Sequence, residues 1–517
     1  MFVYPCSRVT RSNRPIGGRK HGALCGGRNP QGGQQVGYRT LIRRLAELRL
    51  LQLMSGMPGS FAACIAMSAS GLLEWLPMPL QQRLRQFRPG AAGPGFAWNV
   101  FVMLAGTIAG QGISLLLSPV LTRLYSPSEF GYLSVYSAVL TISAVIASLG
   151  LDLAIPIAAT ELESANLLAL CGLALVGTTV LVALSTWLIP AHMLAVLWLG
   201  PLASYRYLLP IGFACLGGYY VMVAVATWAG AFKDIARTRI SQGITGPGSQ
   251  ILLGLCDGGT PGLVVGYVIG QSSGTLLLFA RVVLRQRALL RDMSWVGIVA
   301  AARRYAHFPL FASWARVLDM AGSGTILFVL FSACYSSEVA GFMFLSDRVI
   351  ARPLLLVSTS LLQVFTGEAG RAVNNDPAML RRRFYQVVPL QFLFATGWIL
   401  LANAVAGWAF PLLFGAEWAA AIPYLRALSL AYLGLAVLHP VSTTLQMLEH
   451  QVTAAVWQVS RLLLMMAGVM LPWYLGRSAV TALWISSITQ VGCVVVVFAV
   501  MVVSIERIGI EKRRRRN

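Results

Sequence analysis

Residues 307–371 read HFPLFASWARVLDMAGSGTILFVLFSACYSSEVAGFMFLSDRVIARPLLLVSTSLLQVFTGEAGR. Two long apolar segments meet at a polar hairpin, Tyr335 to Glu338. About 20 apolar residues span the hydrocarbon core of a bilayer, and each segment is long enough to do so. The segments nonetheless carry Arg316, Asp319, Asp347, Arg348 and Arg352. A charge at bilayer depth costs roughly 3 kcal/mol on insertion scales, so such side chains face a protein interior or a watery cavity. One reading is structural: Arg316 and Asp319 are three apart, on one helix face, and neutralise each other. The other is a cationic cavity that receives an anionic substrate. Arg348 and Arg352, four apart, share a face, and Pro353 follows, where a helix tends to kink.

The rest of the chain has the same character. Its 517 residues are 57% hydrophobic and 11% charged, with a mean hydropathy of +0.70. That is the composition of a polytopic membrane protein. The net charge of +22 does not argue for nucleic acid, because 13 of the 40 basic residues precede residue 97 and most others fall in short loops on one side. The eight cysteines show no CxxC and no metal-ligand spacing, and the five histidines are scattered. The cysteines read as small packing residues, and no metal or cofactor is implied.

Residues 1–96 are rich in Gly and Arg at their start and hold only a short basic amphipathic stretch at 41–53. They read as a poorly ordered basic extension. A membrane-surface anchor, a targeting segment, or a true start near Met78 are the alternatives. From Ala97 twelve spans follow, at roughly 97–118, 131–154, 165–188, 208–230, 239–257, 261–283, 309–333, 338–364, 385–407, 418–440, 452–475 and 478–503. The fifth carries Gly243, Gly246, Pro247 and Gly248, which neighbouring helices must compensate. If the spans alternate, nineteen Lys and Arg fall in loops on one side, against Arg123, Arg206 and Arg477 on the other. Both termini are therefore expected in the cytoplasm, with 507–517 as a basic tail. Glu161 and Glu163 make one expected inner loop acidic, against the trend.

A shift of 210 residues lays Gly131 on Gly341, and SPSEFGYLSVYS on SSEVAGFMFLSD. The first half then covers about 97–306 and the second 307–506, six spans each, repeated in the same orientation around a central path. The chain has no GxxxxGK[ST], HExxH or GxSxG motif, and no extramembrane loop after Ala97 has room for a soluble catalytic domain. A transporter, not an enzyme, is expected.

At 115–155, LLLSPVLTRLYSPSEFGYLSVYSAVLTISAVIASLGLDLAI resembles the first hairpin of Wzx-type oligosaccharide flippases, of the multidrug/oligosaccharidyl-lipid/polysaccharide (MOP) superfamily. The Leu-Thr-Arg-Leu-Tyr-Ser-Pro-x-x-Phe-Gly run at 121–131 is the most specific part. PGLVVGYVIGQSSGTLLLF at 261–279, YAHFPLF at 305–311 and EVAGFMFLSDRVIARPLLLVSTSLLQVF at 338–365 are also similar to that family. The resemblance implies an all-α fold of about twelve transmembrane helices in two six-helix lobes around a central cavity. It implies a substrate of undecaprenyl-pyrophosphate-linked oligosaccharide, a bacterial inner-membrane location, and alternating access driven by an ion, H+ or Na+. Membrane lipids and polysaccharide polymerase or assembly proteins are the implied partners. A cation-coupled drug exporter of the same superfamily would show an acidic lumen. A membrane-embedded polymerase or ligase would need a large periplasmic loop.

The residues fit such a substrate. A diphosphate cannot cross hydrocarbon without a charge partner, and Arg stays ionised when buried and donates several hydrogen bonds. At 1.5 Å per residue, Arg348 lies about 13 Å and Arg352 about 20 Å into the eighth span, and Arg426 and Arg461 about 12–13 Å into the tenth and eleventh. With Arg316 these form the expected cationic wall, five positive charges against Asp319 and Asp347, a sum near +3, all in the second half. Asp319, Asp347 and Asp152 are expected to couple an ion or balance charge. Arg123, at the outer end of the first span, would guide a phosphate out or snorkel to the interface. Gln111, Gln271 and Gln363 are weaker candidates for sugar hydroxyls, since a glutamine in a span more often bonds a neighbouring helix.

Overall fold

The computed structural model describes residues 94–517, apart from 197–198, 284–292, 376, 448–450 and 517. The basic extension expected over 1–96 lies, up to residue 93, outside the described residues. In hydrocarbon every backbone polar group must be satisfied within the protein, and a helix does this inside one segment. Among the described residues there are accordingly helices and no strands. The long ones are α1 (Pro94–Leu124), α2 (Pro127–Ala144), α3 (Glu161–Leu188), α4 (Leu209–Trp228), α5 (Phe232–Leu255) and α6 (Gly259–Leu278). The second set is α7 (Ser313–Cys334), α8 (Ser337–Asn375), α9 (Pro377–Ala409), α10 (Ile422–Leu438), α11 (Gln451–Tyr474) and α12 (Ala479–Arg516). These twelve coincide with the twelve expected spans, and among the described residues nine segments are long and apolar enough to cross a membrane by length and composition.

Three details differ from expectation. The second span, expected to run to residue 154, is helical only to Ala144. Leu149 (φ 53°) and Gly150 (φ 72°) then turn the chain, and a 3-10 segment, Leu151–Ile157, carries Asp152. α8 continues through Pro353 to Asn375. The irregular backbone lies in α7 instead, where Ala321–Thr325 forms a π-helical turn with Gly324 at φ 107°. Such turns often mark functional places in a helix.

Local chemistry sets the helix starts. Ser126 caps α2 in a reciprocal box with Glu129, whose carboxylate accepts from the Ser126 backbone N–H at 2.9 Å, and Pro127 opens the first turn. Thr160 caps α3 by accepting from the Glu163 backbone N–H at 3.2 Å. This explains the acidic loop that broke the charge trend. Glu161 and Glu163 lie in the first turn of α3, where the helix dipole favours negative charge. Glu163 also accepts from Arg304 and from the Tyr305 hydroxyl, each at 2.8 Å, and so fastens the connector helix Trp295–Arg304 to α3.

The two halves pair their helices alike. The fifth helix packs on the first (α5 on α1, α11 on α7), the fourth and fifth on the sixth, and the second on the fourth. α5 lies against α1 and α6, and its glycines let the backbones approach: an added Cβ on Gly243 would overlap the Gly110 carbonyl. Large apolar side chains on the outside, such as Trp187 (72% exposed) and Leu393 (72%), suit lipid contact.

Between the halves, α2 crosses α8 at the two glycines that the 210-residue shift superposes. A Cβ on Gly131 would overlap the Ser337 carbonyl, and one on Gly341 the Pro127 carbonyl. Residues 127 and 337 are related by the same shift, so the contact is reciprocal, like a two-fold interface within one chain. Trp418 seals this end. Its ring meets Phe130 edge-on at 5.0 Å, and its Nε1 donates to the Thr122 carbonyl at 3.0 Å.

Gly131→Val and Gly341→Val are each expected to destabilise the detergent-purified protein by about 1–3 kcal/mol, as overpacking does. Gly112→Ala, a position with open space around it, is the control and should leave the melting curve in place.

Candidate functional site

The charged residues expected at the site fall into three clusters, with two left over. The first is centred on α8. Arg348 lies between the halves, with its guanidinium 4.7 Å from the centre of the Phe344 ring and 5.7 Å from that of Phe130, on α2. Its Nη1 is buried and makes no hydrogen bond. Arg352, one turn on, is 41% exposed and its Nη2 is 4.0 Å from the Asp347 carboxylate. Tyr432 of α10 donates a short hydrogen bond to the other oxygen of Asp347. From the first half, Tyr267 of α6 comes within electrostatic reach of both arginines, and Thr141 and Gln271 lie near its hydroxyl.

The second cluster joins the halves. Arg316 donates from Nη1 to both oxygens of Asp152 at 2.9 Å, and Ser148 donates to Asp152 at 2.6 Å. The Arg316 guanidinium is 5.9 Å from the centre of the Tyr220 ring. The expected Arg316–Asp319 pair is therefore replaced by a pair across 164 residues of sequence. Asp319 belongs to a third cluster with α11: it accepts from Gln458 at 2.8 Å, and Arg461 lies 4.0 Å away. Arg461 is only 4% exposed, stacks 4.6 Å from the Trp457 ring centre, and donates to Gln458 at 3.1 Å.

Two expected residues stand apart. Arg123 is exposed at the closed end and donates to the Leu412 carbonyl at 3.1 Å, tying α1 to the chain beyond α9. Arg426 is exposed on α10, six residues before Tyr432 and so roughly 120° around the helix from it. The expected sum of +3 changes accordingly. Asp152 lowers it to +2, and the Arg316–Asp152 and Arg461–Asp319 pairs cancel internally. What remains is +1 on Arg348, Arg352 and Asp347, and +1 on Arg426. The wall of five arginines becomes one centre, Arg348 and Arg352, which meets Phe130 and Tyr267 of the first half.

The tyrosines Tyr220, Tyr267 and Tyr432, with Gln458, are absent from the set read from sequence. A tyrosine inside an apolar span looks like packing. Only its spacing from a glutamine, four residues for Tyr267 and Gln271, marks a shared polar face.

The sequence model of a family described as polysaccharide biosynthesis proteins matches residues 120–423. The chain belongs to this family. None of the curated proteins matches this polysaccharide biosynthesis protein in sequence. Solved structures match it by fold. An inward-facing multidrug resistance transporter of the MATE family, in the MOP superfamily, is 14% identical, with 79% of this chain and 99% of that chain covered and a TM-score of 0.59. The lipid II flippase MurJ, in an inward closed conformation, is 13% identical over 79% and 90% of the two chains, also with a TM-score of 0.59. A MOP superfamily transporter from Pyrococcus furiosus, described by the reverse polarity of its binding pocket, is 14% identical over 80% and 96%, with a TM-score of 0.55. At these identities the likeness is one of fold: the all-α, two-lobed MOP architecture expected from the sequence.

Breaking the Asp152–Arg316 pair should leave a buried charge without its partner. Asp152→Ala and Arg316→Ala are each expected to cost about 3–5 kcal/mol, and the double variant less than their sum. A thermal-unfolding double-mutant cycle measures this. Additive losses would show that the two side chains do not interact.

Proposed function

We propose that this polysaccharide biosynthesis protein is a flippase, not an enzyme. It moves undecaprenyl-pyrophosphate-linked oligosaccharide units across the bacterial inner membrane for surface polysaccharide assembly. The observation that carries this reading is Arg348, a partly buried side chain between the halves whose buried Nη1 donates to nothing. With Arg352 beside it, the chain offers two forked donors of the kind a diphosphate accepts, in a setting of low dielectric where the contact is strong. Family membership supports a polysaccharide substrate, and the MOP fold supports a transporter.

In this mechanism the loaded lipid enters from the cytoplasmic side, while α2 and α8 are closed against each other at Gly131 and Gly341. Its diphosphate takes the free valences of Arg348 and Arg352 and displaces Asp347, which Tyr432 retains. The Asp347 carboxylate is the counter-charge that keeps the empty site affordable in hydrocarbon. Opening at the glycine contact then exposes the site to the periplasm. Asp152–Arg316, which joins the halves, resists or permits that movement, and Asp319 answers Arg461. Both termini are cytoplasmic, and the product passes to a polymerase or assembly protein.

The test is complementation of a flippase-deleted polysaccharide producer that supplies the matching sugar unit, with membrane levels checked by blot. Wild type should restore surface polysaccharide. A normally inserted Arg348→Ala/Arg352→Ala pair should lose it by about tenfold or more, since hydrogen bonds to charged groups are worth roughly 1.5–3 kcal/mol each. Full restoration by the double variant would overturn the role of the arginines.

A further inference from the structure

The first half presents a polar face to the arginine pair, of which only Gln271 was singled out from the sequence. Tyr267 and Gln271 lie one turn apart on α6, about 6 Å along the helix. Thr141 of α2 lies near the Tyr267 hydroxyl. The Gln242 amide of α5 donates to Gln271 Oε1 at 3.5 Å. Gly274 makes room for that amide, because a Cβ at this position would overlap Gln242 Nε2. All four side chains are uncharged and partly exposed. A contact of 3.5 Å is at the long limit of a hydrogen bond. A glutamine amide can donate twice and accept twice. Both glutamines therefore keep unused valences, and Gln271 lies one turn along α6 from Tyr267, which is within electrostatic reach of Arg352.

This face is poorly suited to hold phosphate, since it carries no cation. It is also poorly suited to hold a lipid chain, since its groups are polar. It suits a ligand that donates and accepts hydrogen bonds over its whole surface and carries no charge. We infer that Tyr267, Thr141, Gln271 and Gln242 form a sugar-binding wall, which takes the uncharged sugar attached directly to the diphosphate held by Arg348 and Arg352. The inference rests on the flippase reading and divides its site by lobe: diphosphate on the second half, sugar on the first. A substrate bound this way contacts both halves at once, so its arrival ties their movement to the presence of the sugar.

The experiment measures binding to the purified full chain in nanodiscs with two probes: undecaprenyl diphosphate, bare, and the same lipid carrying one neutral hexose. Wild type should bind the hexose form more tightly. Gln271→Leu and Gln242→Leu should each weaken the hexose form by about three- to tenfold, the range of one neutral hydrogen bond, and leave the bare form unchanged. Gln271→Asn keeps an amide but withdraws it by one methylene, and it should show the same selective loss if the leucine variant fails to insert. Equal loss for both probes, or no loss for either, would overturn the sugar wall while leaving the flippase reading intact. Failure of wild type to bind either probe would overturn the flippase reading, and the wall with it.

Discussion

An ionised side chain placed in hydrocarbon has to find a partner, and the arrangement of this chain follows from how each charge does so. Arg316 takes Asp152 from the other half, at 2.9 Å. Arg461 takes Asp319, Gln458 and the face of Trp457, in an enclosure that leaves 4% of its side chain exposed. Arg316 is answered by protein, and Arg461 largely so, although its buried Nε donates to nothing. Arg348 is answered only in part, by aromatic faces and a nearby carboxylate, and it retains a free donor. Buried polar groups are nearly always satisfied; of the two buried arginine nitrogens without a partner among the described residues, Arg348 Nη1 lies where the lobes meet and has the character of a site held ready.

The same constraint links the site to the fold. A diphosphate-sized anion needs donors at mid-depth, yet the path cannot stand open to both sides. The reciprocal glycine contact meets the second requirement. Gly131 and Gly341 allow α2 and α8 to touch backbone to backbone, and Trp418 and Phe130 fill what remains. Phe130 faces the Arg348 guanidinium from the same helix start that packs against Trp418. The closure and the arginine centre thus share a side chain, and a movement that separates α2 from α8 changes the surroundings of Arg348 directly.

Much of this was legible in the sequence because the signals are local. Length and hydropathy mark a span one segment at a time, and a cap such as Ser126-Pro127 with Glu129 is written within four residues. The glycine pair was legible because a repeat preserves position, and its two members turn out to touch. The partners of the charges were not legible, since Arg316 lies as close in sequence to Asp319 as any pairing rule could ask. It bonds to Asp152 because the turn at Leu149 and Gly150 brings a 3-10 segment to α7. The charge of the expected cationic wall was summed along the second half for the same reason, whereas Arg316 and Arg461 find their carboxylates across space. Tyr267 and Gln242 carried too weak a signal, because an isolated tyrosine or glutamine in a span is more often packing or helix contact.

The most direct measurement is lipid flipping by the purified chain in liposomes, with a fluorescent undecaprenyl-pyrophosphate-linked oligosaccharide and a membrane-impermeant quencher. The account predicts that the fraction of probe exposed to the quencher rises beyond one leaflet only when protein is present. It further predicts that this rise depends on Arg348 and Arg352 and is competed by unlabelled lipid diphosphate. Flipping at the protein-free rate, or flipping that is indifferent to both arginines, would contradict it.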